Sequence, residues 1–192
     1  MKNIVLFASG SGSNVENIIE YFKDNDVKNN FFIFTNNPNA FVIERAKKLH
    51  VPCFVFSKSD LKSDVVLNKI DEIKPDLIVL AGFLLMFPAS IIEKYPNKVI
   101  NIHPALLPKY GGKGMYGMHV HEAVVVNNES ETGITIHFVN EKYDEGAIIF
   151  QAKTSIDSDF SAEDVANAIH KLEHEHFPKV IFDLLNNGKV RF

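Results

Sequence analysis

Short apolar runs alternate with amphipathic segments through the first hundred residues of the chain. The runs have the length of strands, and the segments between them repeat apolar residues every three or four positions, as one face of a helix does. The predicted strands cover residues 4–8, 31–35, 53–56, 77–81 and 99–103, and the predicted helices cover residues 14–25, 40–49, 61–73 and 91–95. Strands and helices that alternate in this way predict a parallel sheet with helices on both faces.

The pattern changes after residue 103. Residues 104–118 hold two prolines and four glycines and predict an ordered loop, which is followed by a helix over 119–126. Residues 132–139 alternate apolar and polar side chains, and residues 147–153 form another strand. We expect these two strands to extend the sheet in an antiparallel arrangement.

A long helix is predicted at the end of the chain. Ser161 is followed three residues later by Asp164, which is the pattern of a capping box. The helix is expected to run to about residue 186, with Gly188 as its stop. The sequence therefore predicts one domain over residues 1–192. Its expected class is α/β: a Rossmann-like, doubly wound and mostly parallel sheet with a C-terminal antiparallel extension and this long final helix.

Composition and charge narrow the class of protein. Of the 192 residues, 46% are hydrophobic and 23% are charged, which suits a globular domain with a sizeable core. The formal net charge of −4 argues against electrostatic binding of nucleic acid. Cys53 is the one cysteine, which excludes an internal disulfide and favours a reducing compartment. The apolar runs are too short for a signal peptide or a spanning helix, so we expect a soluble cytoplasmic protein.

A glycine-rich loop connects the first strand to the first helix. Its sequence, Ser9-Gly10-Ser11-Gly12-Ser13-Asn14, lacks the third glycine of a dinucleotide fingerprint and the Gly-Lys-Ser/Thr of a Walker loop. A helix N-terminus at this point of a doubly wound sheet still offers free N–H groups to an anion. The chain has 18 lysines but only two arginines, so few arginine side chains are available to bind an anion. We therefore expect a small site for one terminal phosphate, built from hydroxyl and amide groups of this loop. The structural alternative is a tight turn with a helix cap.

Candidate catalytic residues follow the fifth strand. Asn101 and His103 alternate along it, so both are expected on one face at the carboxyl edge of the sheet, where crevices form. An amide beside an imidazole suits acyl chemistry, because one stabilises an oxyanion and the other moves a proton. Asp144 lies in a predicted turn and is expected to orient His103 and to raise its pKa. A hydrogen-bonded structural histidine and a plain surface turn are the alternatives for these positions.

The sequence around Asn101 and His103 resembles a known family. The run N-I-H-P-A-L-L-P-K-Y, residues 101–110, is similar to the signature of the folate-dependent formyltransferases. The glycine loop narrows the resemblance to the branch that formylates glycinamide ribonucleotide in purine synthesis. Segments 80–83, 133–139 and 173–174 are also similar to that family. The resemblance therefore covers nearly the whole chain, in order.

The resemblance implies a reaction and a set of site residues. The family transfers the formyl group of its co-substrate 10-formyltetrahydrofolate to the amine of 5-phosphoribosylglycinamide (glycinamide ribonucleotide), by direct amine attack and without a metal. Its catalytic positions correspond to Asn101, His103 and Asp144, with His103 protonated when it stabilises the oxyanion. Its ribonucleotide positions correspond to Gly12, Ser13, Asn14, His170, Lys171, Leu172 and Glu173. Its folate positions correspond to Leu84, Leu85, Met86, Phe87, Asn101, Asn140, Glu141, Lys142, Tyr143 and Asp144.

The chain also departs from the family pattern. Leu85 stands where the family often has an arginine, and a second folate-side arginine would fall around residues 59–62. Residues 111–118, which include Lys113, form a longer linker than is usual in the family. The implied partners are two small-molecule substrates, with neither nucleic acid nor a membrane, and a monomer or homodimer is expected.

Other functions remain open at this point. His170-Lys171-Leu172-Glu173-His174 matches the H-x-x-E-H motif of some zinc hydrolases, but a catalytic zinc also needs a third ligand. Another folate formyl enzyme, such as a formyltetrahydrofolate hydrolase, shares the Asn-x-His core but usually carries a further domain. A phosphate-ligand sensor without catalysis is the non-enzymatic alternative.

Overall fold

Seven strands form a mixed sheet in the computed structural model, which describes residues 1–187. The strands are β1 (Asn3–Phe7), β2 (Asn30–Thr35), β3 (Cys53–Val55), β4 (Leu77–Leu80), β5 (Val99–His103), β6 (Glu131–Phe138) and β7 (Ile148–Ser155). Their order across the sheet is β3-β2-β1-β4-β5-β6-β7. Strands β1 to β5 pair in parallel, whereas β6 and β7 are antiparallel. This topology confirms the predicted fold class.

Helices connect the strands and cover both faces of the sheet. They are α1 (Ser13–Asp24), α2 (Val42–Leu49), α3 (Lys58–Lys62), α4 (Asp64–Ile73), α5 (Ala89–Lys94), α6 (Met118–Val126) and α7 (Ala162–Asn187). Ser161 and Asp164 form the predicted capping box, in which Ser161 N–H donates to Asp164 Oδ2 at 2.9 Å. The predicted stop at Gly188 lies outside the described residues. None of the helices described for residues 1–187 is long and apolar enough to cross a membrane.

One helix prediction was wrong. Residues 61–73 were expected to form one helix, but the chain forms α3 and α4 with a break at Ser63. Ser57 and Asp60 build a capping box that starts α3 before the predicted beginning. The Ser63 hydroxyl then accepts a hydrogen bond from Val65 N–H and starts α4. A serine that satisfies a free N–H group in this way favours a new helix start over a continuous helix.

The core lies on both sides of β1. Ile4 and Leu6 face α1 and α7, whereas Val5 and Phe7 face the opposite layer, which contains α4 and α5. All four side chains are fully buried, so the strand has no solvent face. The Phe7 ring packs against three other phenylalanine rings, with 5.0 to 5.2 Å between ring centroids. These are Phe34, Phe83 and Phe87. This packing holds the carboxyl end of β1 firmly in place.

The sheet order brings the carboxyl ends of β1, β4 and β5 together. Strands β1 and β4 are neighbours, yet the chain runs from β1 towards one edge of the sheet and from β4 towards the other. A crevice is expected at such a switch point, outside the carboxyl ends of the strands. The loops there are tied together, because Ser9 N–H donates to the Gly82 carbonyl at 3.0 Å and Leu84 N–H donates to Ser9 Oγ at 3.0 Å.

Candidate functional site

A cavity of about 960 Å³ opens at this switch point. Its walls come from the loops after β1, β4 and β5, from the segment between β6 and β7, and from one face of α7. Most of the residues singled out in the sequence line it: Gly12, Ser13, Asn14, Leu84, Leu85, Met86, Phe87, Asn101, His103, Asn140, Lys142, Tyr143, Asp144, His170 and Glu173.

Three of the residues singled out lie away from this cavity. Lys171 is exposed and Leu172 packs against the core, whereas His170 and Glu173 face the cavity. Residues three apart share a helix face, so a run of four helical residues cannot all reach one ligand. Glu141 is exposed in the turn after β6 and is not part of the cavity wall.

The glycine loop forms one end of the cavity. Gly12 is the residue before α1 and has a left-handed backbone with φ 72°. A Cβ atom at this position would lie 2.3 Å from Val42 Cγ2 and 3.0 Å from Val42 Cα, so the loop packs directly on the start of α2. The first N–H groups of α1 have no carbonyl partner within the helix and are free to bind an anion.

Asn14 links this loop to α7. Its Nδ2 donates to Glu173 Oε2 at 2.9 Å, and its side chain is buried. Asn14 Oδ1 has no hydrogen-bond partner among residues 1–187. A buried carbonyl oxygen without a partner is costly, so this atom is a candidate acceptor for a hydroxyl of a ligand.

His103 lines the cavity and is 3% exposed. Its Nε2 donates to the Tyr110 carbonyl at 2.7 Å, and its Nδ1 lies 3.6 Å from Asp144 Oδ2. Burial lowers the pKa of His103, although the Asp144 carboxylate and the Tyr110 carbonyl both oppose the shift. Asp144 thus raises the pKa of His103 as expected, but desolvation outweighs this charge and the net shift in the free protein is downward.

Asp144 faces two histidines from the turn between β6 and β7. Its Oδ2 accepts a hydrogen bond from Gly112 N–H at 2.9 Å, and its Oδ1 lies 3.7 Å from His137 Nε2. Burial raises the pKa of Asp144, but His137, His103 and the Gly112 N–H together bring it below its usual value. The site thus holds an ionised carboxylate beside a neutral imidazole.

His137 fixes the amide of Asn101. Its Nδ1 donates to the Phe138 carbonyl at 2.9 Å, and its Nε2 lies 3.1 Å from the donor Asn101 Nδ2. This orientation leaves the second N–H of the amide free for a ligand oxygen. His137 lay within a segment that resembles the family, but the sequence assigned no role to it, since the register of β5 with β6 was unknown.

His121 is a second buried histidine that the sequence did not single out for a role. It is 6% exposed, lines the cavity from α6, and its Nδ1 has no partner among the described residues. Burial lowers the pKa of His121, with Glu173 opposing this shift and His103 adding to it.

The other end of the cavity is apolar. Leu84 and Met86 are more than half exposed there, whereas Phe87 is buried in the core. Tyr143 faces the same cavity from the turn after β6. Such a wall suits a flat, largely apolar ligand.

The H-x-x-E-H segment lies on α7. The rings of His170 and His174 lie 4.0 Å apart on α7, and Glu173 lies 3.4 Å from His170 Nδ1. Within residues 1–187, no group of three or more histidine, cysteine or acidic side chains is placed to hold a metal ion.

Comparisons with known proteins point to one family. A family model described as formyl transferase matches residues 2–181. A phosphoribosylglycinamide formyltransferase of Bacillus subtilis is 36% identical over 191 residues, which cover 96% of this chain and 95% of the relative. A chloroplastic one of Arabidopsis thaliana is 34% identical over 94% of this chain, which spans 64% of that protein. The crystal structure of glycinamide ribonucleotide transformylase 1 from Geobacillus kaustophilus superposes with a TM-score of 0.87 at 35% identity, covering 97% of this chain and 100% of that one.

Proposed function

This chain belongs to the formyl transferase family, and we propose that it transfers the formyl group of 10-formyltetrahydrofolate to the amine of 5-phosphoribosylglycinamide, a step of purine biosynthesis. One observation carries the proposal. Asn101, His103 and Asp144 line one cavity together with a glycine loop and an apolar segment. A phosphate-bearing amine and a folate therefore both have a place beside the same three side chains.

The reaction needs no nucleophile from the protein. The amine nitrogen of the ribonucleotide bonds to the formyl carbon, and the bond from that carbon to N10 of the folate breaks. Negative charge develops on the formyl oxygen in between, where the free N–H of the Asn101 amide can stabilise it. Removing one such donor typically costs about 100- to 1000-fold in rate.

His103 and Asp144 assist the transfer of a proton from the attacking amine to N10. The attacking amine must lose a proton and the leaving N10 must gain one, so the balance is a single transfer between two nitrogens. His103 is neutral with Nε2–H on the Tyr110 carbonyl, so its Nδ1 can accept the proton beside the ionised Asp144. The carboxylate then stabilises the imidazolium until the proton moves on to N10.

The two ends of the cavity hold the two substrates. We assign the phosphate to the N–H groups around Gly12, Ser13 and Asn14, because Glu173 and His170 of α7 border the same part of the cavity wall. The folate lies against the segment formed by Leu84, Leu85, Met86 and Phe87 and against the turn after β6. Lys113 and Lys142 both line the cavity, so either lysine can pair with a carboxylate of the folate tail.

The proposal extends to the setting of the enzyme. We expect one formyltransferase domain in the cytoplasm, as a monomer or homodimer whose partners are small molecules. The one cysteine, Cys53, is a free thiol whose pKa is raised by burial, which suits a reducing compartment. Light scattering of the purified protein will determine the oligomeric state.

A direct assay tests the function. Purified protein is incubated with glycinamide ribonucleotide and 10-formyltetrahydrofolate, and the formylated ribonucleotide is measured by chromatography, with and without a metal chelator. We expect product in both conditions. Asn101→Ala should lose most of the activity, whereas Asn127→Ala, a matched change on the exposed end of α6, should keep it.

Three outcomes would contradict the proposal. No product at saturating substrates would reject it, and activity that is lost with the chelator would indicate a metal enzyme. Formate released without the ribonucleotide would identify a formyltetrahydrofolate hydrolase, an alternative that the relatives do not favour.

A further inference from the structure

Three consecutive carbonyl groups of the glycine loop each accept a hydrogen bond from outside the loop. The Gly10 carbonyl accepts from Val42 N–H at 3.2 Å, and the Gly12 carbonyl accepts from Glu16 N–H at 3.0 Å. The Ser11 carbonyl, between them, accepts from Arg45 Nε at 2.9 Å. Of the three donors, Arg45 alone is a side chain.

The direction of each carbonyl determines the direction of the next N–H group. In a trans peptide unit, C=O and N–H point in opposite directions, so the Ser11 carbonyl and the Gly12 N–H form one rigid unit. Arg45 thus aims the Gly12 N–H. Glycine crosses easily between positive and negative φ, so the peptide before it flips readily unless something holds it. A flip would turn a carbonyl oxygen towards the phosphate in place of an N–H group.

The Arg45 side chain is itself held in place. Its guanidinium pairs with Glu16 in the first turn of α1 and lies 5.1 Å from the centroid of the Phe41 ring. Glu16 also pairs with Lys48 Nζ at 3.2 Å. Arg45 is not part of the cavity wall, and its charge is neutralised by Glu16. The position of Arg45 is therefore explained neither by direct contact with a ligand nor by attraction of its charge to an anionic ligand.

We propose that Arg45 is a positioning residue for phosphate recognition, which holds the Ser11–Gly12 peptide so that the Gly12 N–H faces the phosphate of the substrate. The proposal rests on the proposed function, because the phosphate is that of the ribonucleotide. It explains why one of the two arginines of this lysine-rich chain lies behind the loop and not in the cavity. Lysine has no donor at the position of Nε, so it cannot replace arginine here.

Calorimetry without folate tests the role of Arg45. The ligands are glycinamide ribonucleotide and the corresponding riboside without phosphate. Arg45→Lys keeps the positive charge, and Arg45→Met removes it. We expect both variants to bind the ribonucleotide about tenfold more weakly, the effect of losing one charge-assisted hydrogen bond, and to bind the riboside as the wild type does. Lys48→Met, which removes a cation from the same Glu16, should bind both ligands normally.

A second measurement follows the loop itself. In nitrogen-15 spectra, inorganic phosphate should shift the Gly12 amide resonance of the wild type and leave it unmoved in Arg45→Lys. This readout does not depend on the stability of the variants, provided that the rest of the spectrum is unchanged.

The possible results separate the inference from the function. Wild-type affinity in both Arg45 variants would overturn the inference while formyl transfer by the wild type remained intact. A loss in Arg45→Met alone would show that only the charge matters, and equal losses for ribonucleotide and riboside would show a general structural role. If the wild-type protein binds the riboside as tightly as the ribonucleotide, the phosphate contributes nothing to binding. The proposed phosphate site and the inference about Arg45 would then both be wrong.

Discussion

His137 Nε2 lies 3.1 Å from Asn101 Nδ2, across the antiparallel pairing of β6 with β5 that places the two residues opposite each other. His137 Nδ1 donates to the Phe138 carbonyl, which leaves Nε2 as the ring atom that faces the amide. The strand pairing and the imidazole together determine which end of the Asn101 side chain faces the cavity.

This contact predicts different effects for two substitutions of His137. Glutamine places its Oε1 near the position of Nε2 and can still accept from Asn101, whereas the shorter asparagine cannot reach it. We expect His137→Asn to lower kcat about tenfold or more with little change in KM, and His137→Gln to keep most of the rate. Steady-state kinetics at saturating folate will measure both. Equal losses in the two variants would mean that His137 supports the fold and not the amide.

Asp144→Asn should leave the fold intact and slow the reaction. The substitution keeps the shape of the side chain but removes the charge that faces His103, so the imidazolium loses its partner. We expect kcat to fall about 100-fold or more, the usual contribution of a positioned acid or base. Glu145→Gln is the matched control, since this neighbouring carboxylate pairs with Lys142 at the surface. Turnover near that of the wild type in Asp144→Asn would exclude Asp144 from the mechanism.

The strands were the most predictable part of the fold. Both bounds of β5, Val99–His103, follow from its apolar run and the proline after it. The break at Ser63 was not predictable in the same way, because the residues on both sides continue one apolar helix face. The capping hydrogen bonds of Ser57 and Ser63, and not the hydrophobic pattern, determine where these two helices begin.

Most of the residues predicted for the site line the cavity, but their arrangement was not predictable. Alternation on β5 correctly placed Asn101 and His103 at the cavity. The partner of Asn101 depends on the β5–β6 register, which two separate strand patterns do not reveal. The pKa of His103 depends on its burial, and a sequence shows the nearby carboxylate but not the desolvation that outweighs it.

The buried histidines predict that the protein loses stability in mild acid. Burial lowers the pKa of His103 and His121 in the folded state. As the pH falls, the unfolded chain therefore takes up protons on these histidines, near pH 6.5, before the folded protein does. The free energy of unfolding should therefore fall as the pH drops from about 7 to 5, by at most about 1.4 kcal/mol per pH unit for each such proton. Urea titrations across this range will measure the slope. His121→Gln should reduce it, whereas His119→Gln, on the exposed face of α6, should not.

Gly12 and Gly10 offer a matched test of the loop's packing. Gly12→Ala forces a side chain into a left-handed backbone and places its Cβ against Val42, including 3.0 Å from a backbone atom that cannot move aside. The backbone conformation alone costs about 1–2 kcal/mol, and the contact adds to it, so thermal unfolding should show a clear loss of stability. A Cβ at Gly10 meets nothing within 4 Å, so Gly10→Ala should unfold within about 0.5 kcal/mol of the wild type. If the two variants unfold alike, the close packing of Gly12 on Val42 is wrong.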